Sequence, residues 1–209
     1  MKICIIGAGN VGGNLGKLWA AKGHTIIYGV RNPLTPTIQT LLHETGNSAT
    51  AELVKNAVQK SDVAVLATPW ESIGEVVFQI VDLKGKILID CTNPIRPNPE
   101  WPLSQGSSAA EEIAKRLTGF KVVKAFNTVG AENLSDLTFG TLHADAFMCG
   151  DDAEAKRIVA QLAKDIGFDT LDVGSLRSAE MLESLAKLWI TIAYQQGIGP
   201  NIAFKLLHK

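Results

Sequence analysis

Histidine, cysteine and aromatic side chains are all scarce in this chain of 209 residues, which has four His, three Cys and 6% aromatics. Cys4, Cys91 and Cys149 stand far apart, each inside an apolar strand-like run. Without a Cys-x-x-Cys pair or a Cys/His ligand spacing, zinc and dithiol chemistry are excluded, and each thiol reads as a small buried hydrophobe. No metal is expected. His24, His43, His143 and His208 are scattered, and no Ser/His/Asp arrangement or carboxylate pair stands out. No catalytic acid, base or nucleophile is therefore assigned. Neither sign of charge is in excess: the net charge is −1, with acids and bases interspersed, so no nucleic-acid footprint is present. No apolar run approaches the ~20 residues of a membrane span, and the N-terminus reads as a core strand rather than a cleavable signal. A soluble, cytoplasmic protein with a small-molecule substrate is expected. One absence is local and informative: no Asp or Glu lies between His24 and Leu42.

What is present begins at the N-terminus. An apolar run, Ile3 to Ile6, feeds into Gly7-x-Gly9-x-x-Gly12, and the helix-like pattern Val11, Leu15, Leu18, Trp19 follows. Strand, glycine turn and helix N-terminus together form a site for a dinucleotide pyrophosphate. Gly7 permits the tight turn, Gly9 the approach of backbone to phosphate, and Gly12 the packing of helix on strand. Short β-branched runs then alternate with amphipathic ones, the mark of an α/β fold with a mainly parallel sheet. Strands are expected near Lys2–Ile6, Thr25–Val30, Asp62–Thr68, Lys86–Thr92, Lys121–Asn127, Asp145–Cys149 and Thr170–Val173. Helices are expected at Val11–Lys22, Thr37–Thr45, Thr50–Gln59, Trp70–Ile80, Ala109–Leu117 and Ala153–Asp165. Gly23 ends the first helix, Ser108-Ala-Ala-Glu111 is a capping box, and Asp152 caps the helix from Ala153. From Ser178 to Gln196 one long helix with a broad apolar stripe is expected, broken by Gly197, Gly199 and Pro200. The stretch Asn93 to Ser107, with four prolines and Trp101, is too proline-rich for regular structure. The expected architecture is a Rossmann-type doubly wound sheet over residues 1–174, with a C-terminal helical extension, residues 175–209, packed on the same domain. That last helix is more apolar than one covered face requires, so a homodimer is expected.

Ligands of an open parallel sheet sit beyond the carboxyl ends of its strands. Five such loops line up: the glycine turn, Gly29-Val-Arg31-Asn-Pro33, Ala67-Thr-Pro-Trp70, Cys91-Thr-Asn-Pro-Ile95 and Phe126-Asn-Thr-Val129. Dinucleotide sites that take a free ribose 2′-hydroxyl place an acid at the second strand's end; here Arg31 stands there. A guanidinium grips a 2′-phosphate that a carboxylate would repel, so NADP(H) is expected in preference to NAD(H). Thr68 and Pro69 are placed beneath the nicotinamide ribose, with Trp70 as a planar wall. Asn93 is assigned to the cofactor, and Trp70, Pro94, Asn127 and Thr128 to the second substrate. Either asparagine reads equally as a turn residue. The missing proton donor suits transfer of hydride between two rings, which needs juxtaposition more than a protein acid.

The motifs Val30-Arg31-Asn32-Pro33, Thr68-Pro69-Trp70-Glu71, Ser108-Ala-Ala-Glu-Glu112, Val123-Lys-Ala-Phe-Asn127, Cys149-Gly-Asp-Asp152 and Leu182-Glu-Ser-Leu185 carry a family resemblance. The chain resembles the NADP-dependent oxidoreductases that use coenzyme F420, and the related N-terminal reductase domain of the metalloreductases that pass electrons to flavin and ferric iron. The resemblance implies that Ala8, Gly9, Asn10, Val11 and Gly12 contact the pyrophosphate. It implies that Val30, Arg31 and Asn32 surround the 2′-phosphate, and that Thr68 and Pro69 sit by the nicotinamide. It also implies F420 or a flavin as second substrate. Val30 departs from the hydroxyl often found at that position, and Thr92-Asn-Pro-Ile95 stands nearer the metalloreductase pattern. Two other readings stay open: an NADPH-dependent imine or carbonyl reductase related to the β-hydroxyacid dehydrogenases and pyrroline-carboxylate reductases, and a non-catalytic NADP(H) sensor.

Overall fold

A computed structural model describes residues 1–95 and 106–209. In chain order the elements are β1 (Lys2–Ile6), α1 (Asn10–Ala21), β2 (Thr25–Val30), α2 (Pro36–Thr45), β3 (Thr50–Leu53), α3 (Val54–Gln59) and β4 (Val63–Leu66). These are followed by α4 (Ile73–Ile80), β5 (Ile87–Asp90), α5 (Ala109–Arg116), β6 (Lys121–Lys124) and the short hairpin β7 (Thr138–Phe139) and β8 (Leu142–His143). The chain closes with β9 (Asp145–Gly150), α6 (Ala153–Asp165), β10 (Asp169–Asp172) and α7 (Ala179–Ile190).

Eight strands form one sheet in the order β10-β9-β6-β5-β4-β1-β2-β3. Six of them, β3-β2-β1-β4-β5-β6, are parallel and follow the doubly wound dinucleotide-binding order, whose direction reverses between β1 and β4. Side chains alternate faces along each strand. Ile3 and Ile5 join the layer with Leu15 and Trp19 of α1 and Val159 and Leu162 of α6. Cys4 and Ile6 join the opposite layer with Val76 and Val77 of α4, Ile113 of α5 and Leu182 of α7. Trp19 is fully buried, and its indole N–H reaches the Leu162 carbonyl at 2.9 Å, so α1 and α6 are locked on one face.

One expectation needs correction, and two features go beyond what was expected. Thr50–Gln59 is not one helix: Thr50–Leu53 pair with Ile27–Val30 as β3, and only Val54–Gln59 turn helical. The unpaired edge of β2 offers backbone partners that outweigh a short helical pattern. The far end of the sheet is not parallel, because β9 runs antiparallel to β6 and β10 follows β9. The β7–β8 hairpin, closed by Gly140 at positive φ, was not anticipated.

Other differences are at element ends. The expected strand ends Ala67–Thr68, Cys91–Thr92 and Ala125–Asn127 leave the ladder and become loops at the carboxyl edge. The expected helix Trp70–Ile80 opens with a 3₁₀ turn, Trp70–Ser72. The long terminal helix is α7 continued by a π-helical turn, Thr191–Gln195. Beyond it the chain has no regular structure, where a short apolar pattern suggests more helix. Trp189 Nε1 donates to the Ile202 carbonyl (2.9 Å), and Asn133 Nδ2 to the carbonyls of Pro200 (2.7 Å) and Ile202 (3.0 Å). Of the proline-rich stretch, residues 96–105, with Trp101, lie outside the described residues.

Candidate functional site

Two linked clefts, of about 440 and 460 Å³, open at the carboxyl edge on either side of the β1/β4 switch point. They share Gly9, Ala67, Thr68 and Pro69. The glycine turn is their common floor. Gly7 has φ +106°, and a β-carbon there would collide with the Ala67 carbonyl, so only glycine fits. A β-carbon on Gly12 would overlap the Gly7 carbonyl. Gly12 is buried and lines neither cleft; it lets α1 approach β1, the packing role that the glycine spacing assigns to it.

Gly9 differs from both. A β-carbon added there meets nothing within 4 Å, so protein packing does not require glycine at this position. The open space in front of it is where a ligand's phosphate would approach. Gly9 is also the N-cap of α1, without a side-chain cap, and the helix's first turn holds no acid. The unpaired N–H groups and positive end of the dipole therefore face the cleft.

The β2 side of the cleft is lined by Val30, Arg31, Asn32, Thr35 and Ile38, with Val76 and Gln79 of α4 opposite. Arg31 is exposed and makes no hydrogen bond or ion pair among the described residues. Asn32 Oδ1 accepts from Leu34 N (3.0 Å), shaping the turn. Thr35 caps α2, its hydroxyl accepting from Ile38 N. A second helix N-terminus, again with no acid in its first turn, thus stands beside the guanidinium. Cation and dipole reinforce one another for an anionic group.

The β5–β6 side is lined by Asn10, Val11, Thr68, Pro69, Trp70, Cys91, Thr92, Asn93, Ile95, Asn127 and Val129, and by Ala186, Trp189, Ile190 and Tyr194 from the C-terminal helix. Pro94 and Thr128, expected at the second substrate, are buried and do not line it. Ile95 and Val129 do line it. Asn93 and Asn127 do line the cleft but hold each other: Asn93 Nδ2 donates to the Asn127 carbonyl, and Asn127 Nδ2 to Asn93 Oδ1, both at 3.0 Å. Among the described residues two buried side-chain oxygens lack partners, Thr68 Oγ1 and Asn127 Oδ1, and both belong to this wall. Phe126, just before Asn127, has φ +62°, a strained conformation for a side-chain-bearing residue. Edge-on packing against Trp19 (5.8 Å) and contact with Phe168 (5.7 Å) hold it there.

The terminal helix contributes a wall, a use of its apolar stripe that the sequence left open beside core packing and a dimer interface. Trp189 packs edge-on to Tyr194 at 5.7 Å, and Tyr194 donates to Glu132 Oε1 at 3.2 Å. The apolar stripe that includes Trp189 was visible in the sequence; its destination on this cleft was not. A charged cluster behind the wall was missed altogether. Lys124, Asp90 and Glu183 have side chains at most 2% exposed, and Lys124 Nζ lies 2.9 Å from each carboxylate. Burial works against the Lys124 ammonium, but Asp90 and Glu183 together outweigh it and hold its pKa above the ordinary lysine value. Burial likewise raises the Cys91 thiol, and pushes Cys149 up to about 12, so neither is a thiolate at neutral pH. Among the described residues no cluster of His, Cys, Asp or Glu has the makings of a metal site, and no helix is long and apolar enough to cross a membrane.

Comparison with known proteins adds four findings. The family model described as NADP oxidoreductase, coenzyme F420-dependent, matches residues 2–94. An F420-dependent NADP reductase of Methanocaldococcus jannaschii is 32% identical over 220 residues, covering 98% of this chain and 94% of its own. Metalloreductase STEAP3 of Rattus norvegicus is 30% identical over 189 residues, but the chain spans only 36% of that protein's length. Among solved structures, one from Arthrobacter sp. FB24, described as a candidate F420-dependent NADP-reductase, superposes over both whole chains with a TM-score of 0.90 at 29% identity.

Proposed function

This chain belongs to the coenzyme F420-dependent NADP oxidoreductase family, and from that premise we propose that it transfers hydride between NADP(H) and a flavin-like or deazaflavin ring. It is an NADP-dependent oxidoreductase; the ring acceptor is our own reading. The observation that carries it is the asymmetry of the cleft. Its β2 end presents Arg31 and the N-terminus of α2, and its β5–β6 end is walled by Trp70, Trp189, Ile95 and Val129.

Gly9 and the first turn of α1 would hold the pyrophosphate by backbone N–H groups. Arg31 and Asn32 would flank the 2′-phosphate, with Val30 contributing its backbone. Thr68, Pro69 and Asn93 would border the nicotinamide, where Thr68 Oγ1 is without a partner. NADPH supplies the hydride when bound. The chain's own residues exclude water and orient the second ring against the aromatic wall, where stacking on indole contributes about 0.5–1.5 kcal/mol beyond area burial. An imine or carbonyl reductase wants an available proton donor in this space. Lys124, buried behind the wall, has all its hydrogens engaged, and Tyr194, which lines the cleft, donates its hydroxyl hydrogen to Glu132.

The test is to mix NADPH with F420, FMN, FAD and riboflavin in turn and follow the ring absorbance. Turnover with at least one is expected. Oxidation of NADPH by none of them, or by simple carbonyl compounds instead, overturns the reading.

A further inference from the structure

We propose that the buried Asp90–Lys124–Glu183 cluster is a positioning device for the acceptor end of the cleft, tying three of its walls into one unit. The proposal rests on the hydride-transfer reading and deepens it, by assigning residues that never touch the substrate to the control of its orientation.

The bonds of the cluster lead to separate walls. Asp90 ends β5, and its Oδ1 accepts from both the amide (2.9 Å) and the hydroxyl (2.7 Å) of Thr92. Lys124, at the end of β6, donates to Asp90 Oδ2 (2.9 Å), to Glu183 Oε1 (2.9 Å) and to the Thr92 carbonyl (2.5 Å). Thr92 is thus gripped at its amide, its side chain and its carbonyl, and its neighbour is Asn93, locked in turn to Asn127. Glu183 carries the network into α7, one turn before Ala186 and two before Trp189. It also accepts from Ala109 N (3.0 Å) and Ala110 N (3.3 Å) at the start of α5. Asn127 Nδ2 closes the circuit by donating to the Leu182 carbonyl at 3.0 Å. The loops after β5 and β6 and the wall from α7 cannot move independently.

Two physical points favour positioning over other roles. All three ammonium hydrogens of Lys124 are used and its side chain is fully buried, so it neither reaches the substrate nor gives up a proton. A buried ion cluster is weak support for stability as such, since apolar or neutral replacements of the whole set are commonly tolerated; what directed bonds add is a unique geometry. Arg31, Asn32 and Thr35 at the other end of the cleft have no bond to the cluster. The network therefore governs one end of the site and not the other.

The experiment uses the triple variant Asp90→Asn/Lys124→Met/Glu183→Gln, which nearly keeps volume and removes every charge of the cluster, beside the single variant Glu183→Gln, which loosens the ties of α7 to Lys124 and to the start of α5. Expected for both is a fall in kcat with the ring acceptor, about 10- to 100-fold for the triple variant and less for the single one, as sub-ångström misplacement of reacting rings produces. The acceptor KM rises, while NADPH Kd, read by fluorescence titration, stays within about twofold. Unchanged kcat and acceptor KM in a folded triple variant would overturn the proposal, as would a loss of NADPH affinity in step with kcat. Should the wild type turn over no ring acceptor, only the hydride-transfer reading fails. Amide exchange then decides: faster exchange at residues 91–95 and 186–195 with residues 7–12 unchanged keeps the proposal, and equal exchange everywhere ends it.

Discussion

A single methyl group separates the duties of the glycines that follow β1. At Gly9 it would enter open space at an ordinary φ of −81°, whereas at Gly12 it would overlap the Gly7 carbonyl. Gly9→Ala is therefore expected to leave the melting temperature nearly unchanged and to weaken NADP binding by about tenfold, the cost of blocking one or two phosphate bonds. Gly12→Ala is expected to lower the melting temperature by several degrees, because backbone must move to admit it. Thermal unfolding with and without NADP separates the two. Arg31 has the opposite character: exposed and without a partner among the described residues, it carries nothing in the fold. Arg31→Ala is expected to keep stability, weaken NADP(H) binding about 10- to 100-fold and leave NAD(H) binding little changed, in proportion to a charge-assisted pair of about 1.5–3 kcal/mol. Titration of both nucleotides against both proteins checks it.

At the scale of elements, the C-terminal helix and the irregular segment that follows it behave as one wall and its strap. The α7 ladder widens into a π turn at Thr191–Gln195, with Gln196 N donating to the Thr191 carbonyl at 2.9 Å, and this turn brings Tyr194 over Glu132. The strap is fastened at Lys205, whose ammonium lies 2.9 Å from Asp145 Oδ1 and 2.5 Å from Asp169 Oδ2. The hydrogen bond from Lys205 holds the Asp169 carboxyl below the usual carboxylate range, and the same bond holds Lys205 above the usual lysine range. A depressed carboxylate contributes above its unfolded pKa of about 3.9 and is lost as pH falls through the lower folded value; a raised lysine contributes below about 10.4 and is lost as pH rises through the higher one. The strap is therefore expected to stay fastened across neutral pH and to loosen at both extremes, and loosening should come at milder pH in high salt. Amide exchange at Leu206, whose N–H is held by Asp145 Oδ2 at 2.6 Å, reports it directly. Equal exchange from acid to alkaline pH, after correction for the intrinsic rate, would contradict it.

For the whole molecule, the outer surface of α7 is the feature that calls for a partner. Met181 and Leu188, two turns apart, are 61% and 49% exposed on a helix whose other face is fully used. A homodimer through this surface is the expected assembly, and sedimentation at micromolar concentration should show it; Leu188→Glu should shift the species to monomer. Sedimentation of the wild type as a monomer would remove the expectation. How much of this was legible beforehand follows from range. The glycine turn and Arg31 are local signals, since each works through backbone and neighbours within a few residues. The Asp90–Lys124–Glu183 cluster joins positions 34 and 59 or more residues apart, from two strands and a helix. Lys124 in particular looks like any surface lysine ending a strand until β9 and α7 cover it. The failure at Thr50–Leu53 has the same origin, because only the open edge of β2 makes those four residues a strand.

Hydrophobic periodicity and glycine spacing, both properties of neighbouring residues, were enough to specify a doubly wound sheet, and the sign of one side chain, Arg31, was enough to raise the expectation of a phosphorylated ribose. The direction of β9 and β10, the exchange of bonds between Asn93 and Asn127, the burial of Pro94 and Thr128, and the arrival of Trp189 and Tyr194 at the cleft were decided by tertiary structure alone. The reason is physical: periodicity records which face of an element is buried, but not against what, and a site assembled from five loops and a distant helix exists only once those faces have met.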